Sequence, residues 1–400
     1  METWKRNLWL LWIGCFITSA SFSMVVPFLP LFLIHIGVTE HTEMWSGLLF
    51  SSAFFAGALS SPYWGAMADK YGRKPMIVRA GFVLCVIYLL TSLVTNPYQL
   101  LVLRLLQGLL SGFIPGSIAL VGTNTPEHKV GYALSMMSTS TATGGIMGPL
   151  LGGVISKIFD NRIAFASAGV FVLLSTLLVV LWVKEEKFVP SKTRTSILES
   201  MKMAVNNRPF LMILVLTLFT QFSVMTIEPV LPLYIVQIGG SVKEASLVAG
   251  IVFSLVGVAS ILFAPRWGRL ADKVGFQKVL IIGLLVGGIG NLAQIPVHNI
   301  WGFSIIRFVY GAFFCAVFPA LNGLVVRTTT ADFRGRAFGL NQTANQLGGM
   351  LGPLVGGAIS GVFSIHSVFW ITGLLLIFSM GLAYWSRSHA VQTSGPNLPG

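Results

Sequence analysis

The segment PYWGAMADKYGRKP, residues 62–75, decides the fold, because a close copy of it, PRWGRLADKVGFQK, occupies residues 265–278. Both copies contain a proline, a tryptophan and an Ala-Asp-Lys triplet, with a glycine two positions after the triplet. Each copy begins within a long apolar run and ends among basic residues. We therefore expect the chain to contain an internal duplication.

Further matches follow in the same order along the chain. They are PFLPLF (27–32) with PVLPLY (229–234), Arg104 with Arg307, and GGIMGPLLGG (144–153) with GGMLGPLVGG (348–357). If the chain spans a membrane, a duplication that keeps the same topology predicts two bundles related by an axis along the membrane normal. In transporters of this kind the substrate site lies where the two repeats meet.

The composition excludes a soluble protein. The 400 residues include 26 Lys and Arg and 13 Asp and Glu, so 10% are charged, against about 25% in soluble globular proteins. Apolar residues make up 54% of the chain. These values exclude a soluble enzyme, a nucleic-acid binder and a disordered scaffold. The three cysteines lie in apolar runs and the six histidines are scattered, so neither a metal site nor a disulfide is predicted.

Twelve apolar runs reach the length of about 20 residues that a membrane-spanning helix needs. They cover roughly residues 8–36, 44–67, 75–94, 98–122, 130–155, 163–183, 210–238, 245–267, 279–297, 301–326, 336–361 and 366–385. The sequence thus predicts an all-α membrane protein with twelve transmembrane helices. Its predicted parts are a bundle over 1–183, a cytoplasmic linker over 184–207, a bundle over 208–387 and a disordered tail over 388–400. Residues 197–204 of the linker suit a short amphipathic helix on the membrane surface, and the alternative is a plain tether between the two halves.

The basic residues predict the orientation, because cytoplasmic loops carry the excess of Lys and Arg. With the N-terminus inside, only Lys157, Arg162 and Lys243 fall in outer loops, and Arg104 and Arg307 fall within spans. Both termini are therefore predicted to be cytoplasmic. The net charge of +13 then reflects topology and does not indicate a nucleic-acid partner.

The loop after the second predicted helix carries the most specific motif. Gly72 suits a turn that needs positive φ, and Pro75 suits the first turn of the next helix. The segment GAMADKYGRKP, residues 65–75, resembles the loop 2–3 signature of the major facilitator superfamily. The resemblance implies a cytoplasmic gate held by Asp69 and Arg73. The gating motif comprises Gly65, Asp69, Gly72, Arg73 and Lys74, with Asp272 in the second copy, where Phe276 replaces the arginine.

Two further motifs fall within predicted spans. Arg104 resembles the family's helix 4 arginine, which is implicated in proton transfer; the alternative is an arginine that only orders the bundle. In the fifth helix, Gly144, Gly148 and Gly152 share one face, and Pro149 bends the helix. This pattern is typical of close helix packing. Together with the loop signature it resembles the antiporter motif of the superfamily's twelve-helix bacterial drug:proton antiporters.

Glu228 is the one acidic residue well inside a predicted span. An acid in this position is expected to be functional, and we predict that it carries the coupled proton. The alternative is a permanently protonated residue that hydrogen-bonds within the bundle. Candidate substrate-binding residues are Phe22, Phe222, Arg307, Tyr310, Asn341 and Asn345. The aromatic residues among them suit lipophilic cations.

These observations predict a proton-coupled multidrug efflux antiporter that works by alternating access. The resemblance implies export of small lipophilic drugs, often cationic, by a monomer in the bacterial inner membrane, without a cofactor or ATP. An exporter of one metabolite, such as a sugar or an amino acid, and a non-transporting membrane sensor remain as alternatives. A membrane enzyme is disfavoured because the sequence offers neither a nucleophile–base pair nor a set of metal ligands.

Overall fold

The computed structural model describes residues 2–38, 40–126, 129–185, 197–239, 242–330 and 333–393. These residues form helices joined by short turns, and the described ranges contain no β-strand. Within them, nine segments are long and apolar enough to cross a membrane, judged by length and composition.

The helices in chain order are α1 (Thr3–Met24), α2 (Leu29–His35), α3 (Thr42–Tyr71), α4 (Arg73–Ser92), α5 (Pro97–Leu110), α6 (Phe113–Asn124), α7 (Val130–Ile158), α8 (Asn161–Trp182), α9 (Ile197–Asn206), α10 (Arg208–Ile227), α11 (Leu231–Gln237), α12 (Val242–Val274), α13 (Phe276–Ala293), α14 (Ile300–Phe314), α15 (Val317–Thr328), α16 (Arg334–Val362) and α17 (Ile365–Thr393). Each predicted span is one long helix or two consecutive helices. The short helix predicted in the linker is present as α9. Because α17 continues to Thr393, the predicted disordered tail begins as helix. The rest of that tail, residues 394–400, lies outside the described residues, as do residues 186–196 of the linker.

Four predicted spans are each divided into two helices, namely α1–α2, α5–α6, α10–α11 and α14–α15. The breaks occur at matching places in the two repeats. The α1–α2 and α10–α11 breaks contain Pro27 and Pro229, which lack the N–H that a continuous helix needs. The α5–α6 break falls at Ser111 and Gly112, and Gly112 has a φ of 139°. Irregular backbone at membrane depth is tolerated only where protein or a cavity surrounds it. We therefore expect these breaks to face the protein interior and not the lipid.

The described chain divides into two compact units. Unit 1 comprises Met1–Arg194 and Glu228–Gly257. In it α1 lies against α7 and α8, α4 against α8, and α3 against α5. Its core includes Phe28 and Phe32, whose rings each lie 5.1 Å from the ring of Phe165. Residues 228–257 belong to this unit because α12 packs on α7: a Cβ at Gly153 would lie 2.7 Å from the carbonyl oxygen of Ser246.

Unit 2 comprises Thr195–Ile227 and Val258–Gly400. Here α10 lies against α16 and α17, and α13 lies against α14 and α17. These pairs repeat the arrangement of α1 with α7 and α8. The ring of Phe303 on α14 lies 6.2 Å from that of Phe369 on α17, and both side chains are fully buried.

Candidate functional site

Arg104 lies in a buried hydrogen-bond chain in unit 1. It sits in the middle of α5 with 7% of its surface exposed. Its Nη1 donates to Oε1 of Gln107 at 2.8 Å, and Nε2 of Gln107 donates to the hydroxyl oxygen of Tyr88 at 3.1 Å. The sequence analysis missed both partners. The spacing of Gln107 was a usable signal, because residues three apart on a helix are neighbours.

Phe22 stands close to Arg104. Both side chains line a small cavity together with residues of α3 and the α1–α2 break. The ring of Phe22 is 46% exposed, whereas Phe28 and Phe113, other aromatic residues of the same bundle, are buried in the core. Of these three residues, the predicted substrate-binding residue Phe22 is exposed beside the cavity, and Phe28 and Phe113 have a packing role.

Glu228 lies in the turn between α10 and α11, immediately before Pro229. Its side chain is half-buried. The apolar segment Arg208–Gln237, which is long enough to span a membrane, contains it. A carboxyl at a break in a membrane helix lies where backbone carbonyls have lost their helical donors, so the site is polar in an apolar segment.

Arg307 and Tyr310 lie together in unit 2. The guanidinium carbon of Arg307 is 5.5 Å from the ring centroid of Tyr310 and 6.0 Å from that of Phe303. The ring of Tyr310 stacks on Phe314 with 4.9 Å between centroids. Both Arg307 and Tyr310 are buried at 6% exposure, and the contact with the two rings stabilises this cation.

Asn341 and Asn345 form a polar cluster between α16 and α10. The side-chain oxygen of Asn341 accepts from the hydroxyl of Thr217 at 2.8 Å, and its nitrogen donates to Asn322 at 3.2 Å. Asn345 donates to Oε1 of Gln221 at 3.2 Å. The two predicted amides lie on the same helix, and part of their hydrogen-bonding capacity is used by neighbouring helices.

Phe222 lies under the glycine stripe of α16. A Cβ at Gly352 would lie 2.6 Å from the backbone oxygen of Phe222, and one at Gly348 would lie 2.6 Å from that of Leu218. The backbone of Phe222 thus serves helix packing. Its side chain is half-buried.

The glycine stripe of α7 has the same role in unit 1. A Cβ at Gly144 would lie 2.5 Å from the backbone oxygen of Phe16 on α1. At Gly148 it would contact Ser23 and the backbone of Ala20, and at Gly152 it would contact the backbone of Met24. All three positions therefore require glycine for α7 to lie against α1. Pro149, also in this motif, places its carbonyl oxygen against Gly250 of α12.

The loop motif forms a tight junction between α3 and α4. Gly72 adopts φ 102° and donates its N–H to the carbonyl of Ala68 at 3.0 Å. Gly275 repeats this geometry after α12, with φ 95°. The guanidinium of Arg73 donates to the backbone of Ala119 and to Oγ1 of Thr123, 3.3 Å away, both on α6.

Glu185, a residue that the sequence analysis missed, binds the start of α4. Its two carboxylate oxygens accept the backbone N–H groups of Arg73 and Lys74, each at 2.9 Å. A carboxylate there is stabilised by the positive end of the helix dipole. The ammonium of Lys74 also reaches the carbonyl of Val180, at 3.1 Å. The gating loop is thus tied to the segment that follows α8.

The remaining predicted gate residues are less constrained. A Cβ at Gly65 would meet no atom of the described chain within 4 Å, so its packing role is not evident. Asp272 is exposed near the end of α12. The side chain of Asp69 lies outside the described residues.

Comparison with known proteins decides the family. The model of the Major Facilitator Superfamily matches residues 11–252 and 213–398. The chain belongs to the major facilitator superfamily. It is 38% identical over 380 residues to the multidrug resistance protein MdtG of Salmonella schwarzengrund and to that of Salmonella typhimurium, with 94% of each chain covered.

Solved structures show the same fold. A bacterial homologue of the human lysosomal transporter Spinster superposes with a TM-score of 0.80 at 14% identity, over the full length of both chains. The nucleoside transporter NupG superposes with a TM-score of 0.78 at 14% identity, over 96% of this chain and 99% of that one. The predicted family and fold class are confirmed. The chain is a multi-pass membrane transporter and not an enzyme.

Proposed function

We propose that the protein exports lipophilic drugs in exchange for protons by alternating access. The observation that carries this proposal is the glycine stripe of α7, which lies in backbone contact with α1 at all three glycines. The stripe belongs to the motif that resembles the antiporter motif of drug exporters. The similarity to relatives named as multidrug resistance proteins supports the same substrate class.

Glu228 is the proposed proton carrier. It combines three properties: a titratable side chain, a position inside an apolar spanning segment and a location at a helix break. Acids within membrane spans are costly and commonly mark proton pathways. In this mechanism the protonated and ionised forms of Glu228 favour different conformations. Arg104 is the second proposed element of proton transfer, as its resemblance to the helix 4 arginine implies.

The loop between α3 and α4 is the proposed cytoplasmic gate. Arg73 and Lys74 bond to residues of their own bundle, which holds the loop in one conformation. Asp69 and Asp272 are the proposed acidic partners in the gate. We further propose that the protein acts as a monomer in the bacterial inner membrane. Both termini are proposed to lie in the cytoplasm, as the distribution of Lys and Arg indicates.

The test is proton-driven drug efflux from proteoliposomes, measured with a fluorescent drug and a pH-sensitive dye inside the vesicles. Wild-type protein is expected to move the drug and protons in opposite directions. Glu228→Gln, which cannot ionise, is expected to abolish proton-driven drug movement while the protein still folds and inserts.

The matched control is Glu244→Gln on α12. The side chain of Glu244 is 60% exposed and lies 3.7 Å from Lys157, and a surface ion pair of this kind contributes little. This variant is expected to transport like wild type. Full coupling in Glu228→Gln would remove the assigned role. The absence of both drug movement and drug-dependent proton flux in wild type would contradict transport and favour a sensor.

A further inference from the structure

The cavity beside Arg104 has an unusual lining. Its walls are the side chains of Phe22, Val25, Val26, Leu49, Phe50, Ala53, Phe54 and Arg104. The guanidinium is thus the one charged group among seven apolar neighbours. The cavity volume is about 20 Å³, which admits roughly one water molecule or one small polar group.

One nitrogen of that guanidinium has no partner in the described part of the chain. Nη1 of Arg104 is satisfied by Gln107, but Nη2 is buried without a hydrogen-bond acceptor among the described residues. Gln107 and Tyr88, the other members of this hydrogen-bond chain, are neutral. Leaving a buried cationic donor unpaired costs more than leaving a neutral one, so the site favours an acceptor, and most of all an anion.

The opening of the cavity adds an aromatic surface. Phe22 is 46% exposed and lines the same cavity as Arg104. A molecule with an oxyanion at one end and an apolar body would place the oxyanion at Nη2 and the body against Phe22. A lipophilic cation would instead bring its charge against an unpaired guanidinium.

We infer that this cavity binds the carboxylate, or a comparable oxyanion, of a lipophilic substrate. The inference deepens the proposed function by naming a substrate class, and it replaces the expectation of cationic substrates for this part of the site. That expectation came from the aromatic residues, the sparse amides and the one carboxylate, together with the family resemblance. The positive charge of Arg104 on the cavity wall disfavours a cationic substrate in this cavity.

The experiment compares three probes with the same apolar body: pyrenebutyrate, its methyl ester and pyrenebutylamine. Binding to the purified full-length protein in nanodiscs of zwitterionic lipid is followed by pyrene fluorescence without a proton gradient. Wild type is expected to bind pyrenebutyrate about tenfold or more tightly than either other probe, because a hydrogen bond to a charged group is gained only with the anion. Equal affinity for the three probes would overturn the inference.

Two pairs of variants isolate the charge. Arg104→Gln is expected to remove the preference for the anion, and Arg104→Lys is expected to retain part of it. Val26→Glu and Val26→Gln both add volume to the cavity wall and are expected to weaken binding of all three probes. Only the carboxylate of Val26→Glu is expected to shift the remaining preference from pyrenebutyrate to pyrenebutylamine. Persistence of the preference in Arg104→Gln, or equal effects of the two Val26 variants, would contradict the assignment.

Two further measurements separate related outcomes. Nanodiscs containing phosphatidylglycerol show whether a lipid headgroup occupies the cavity; loss of pyrenebutyrate binding there would assign the cavity to anionic lipid and overturn a substrate site. Proteoliposome transport of pyrenebutyrate tests the proposed function separately. Tight binding of the anion without transport would contradict the exporter proposal and leave the inference standing.

Discussion

The two copies of the repeat hold the same arginine in different surroundings. Arg104 in unit 1 donates to Gln107, which continues the chain to Tyr88. Arg307 in unit 2 lies over aromatic rings, with Tyr310 at the place that Gln107 takes in the first copy. The arginine thus donates to an amide side chain in the first copy and lies against two aromatic rings in the second.

Elements that set the helix packing have diverged much less. The glycine stripes of α7 and α16 contact α1 and α10 at matching positions, and Gly72 and Gly275 have nearly the same φ. Backbone contact leaves no room for a side chain, so these positions tolerate only glycine. Polar side chains at the centre of each bundle carry no such constraint, and they differ between the copies. The comparison separates what folds the protein from what gives each half its chemistry.

The largest expected effect comes from filling a glycine stripe. Gly148→Leu and Gly352→Leu each push a side chain into the backbone of the facing helix, so each is expected to cost about 3 kcal/mol or more. Thermal unfolding of the purified protein in detergent measures the loss, and proton-driven drug efflux is expected to fail in both variants.

Gly145→Leu is the control for these two substitutions. It lies three residues before Gly148 on α7, and a Cβ there would meet no atom of the described chain within 4 Å. This variant is expected to unfold near the wild-type temperature. Normal transport by Gly148→Leu, or a large loss confined to one of the two stripes, would show that the copies do not share this packing device.

The interruptions of the two arginine-bearing helices also differ. In unit 1 the break after α5 leaves the carbonyls of Leu110 and Ser111 without helical donors, and Nη2 of Arg79 donates to both, at 3.2 and 3.3 Å. In unit 2, Cys315 still donates to Gly311 at 3.1 Å, and Ile282 takes the place of Arg79. Both breaks are two residues long, and the one that leaves two carbonyls without helical donors coincides with an added cation.

Arg79→Ile copies the second repeat into the first and tests this relation. It removes the donor of two carbonyls, so we expect a loss of about 1–3 kcal/mol in unfolding free energy and faster hydrogen exchange around Gly112. Arg79→Lys, which keeps a donor, is expected to lose less. An unchanged unfolding temperature in Arg79→Ile would mean that the break is stable without it.

The sequence predicted the parts of this protein that depend on spacing. The twelve spans, the repeat, the loop turn at Gly72 and the shared face of Gly144, Gly148 and Gly152 all follow from periodicity or from backbone requirements. Contacts between residues distant in sequence were not predicted. Glu185 binds the start of α4 across more than a hundred residues, and nothing local to it signals that role.

The same distinction holds for the candidate site. The importance of Arg104 was clear because an arginine in an apolar run is rare, but its partner Tyr88 lies on another helix. Asn341 and Asn345 were predicted as substrate-binding residues, and both lie on α16. The side chains that satisfy them, Thr217 and Gln221, depend on how α10 and α16 pack.

The smallest expected effect concerns a polar pair that only the second copy contains. Thr217 donates to Asn341 at 2.8 Å, whereas the matching positions in the first copy are the buried apolar residues Cys15 and Met137. Thr217→Cys and Asn341→Met are each expected to cost about 1–2 kcal/mol, because each leaves a buried polar partner unpaired. The double variant removes both partners together. Its cost, measured by thermal unfolding, is expected to be about 1 kcal/mol less than the sum of the single variants.

A second double-mutant cycle shows whether the non-additive cost is specific to the hydrogen bond between Thr217 and Asn341. Thr343 is exposed on α16, and its hydroxyl donates to the carbonyl of Gly339 on the same helix. Thr343→Val shares no hydrogen-bond partner with Thr217→Cys. The losses of unfolding free energy caused by these two substitutions are therefore expected to add in the double variant. If the Thr217 and Asn341 costs also add, the hydrogen bond between them contributes nothing to stability. The second copy would then keep its amides for contact with a transported molecule, and its polar centre would differ from that of the first copy in function and not in packing.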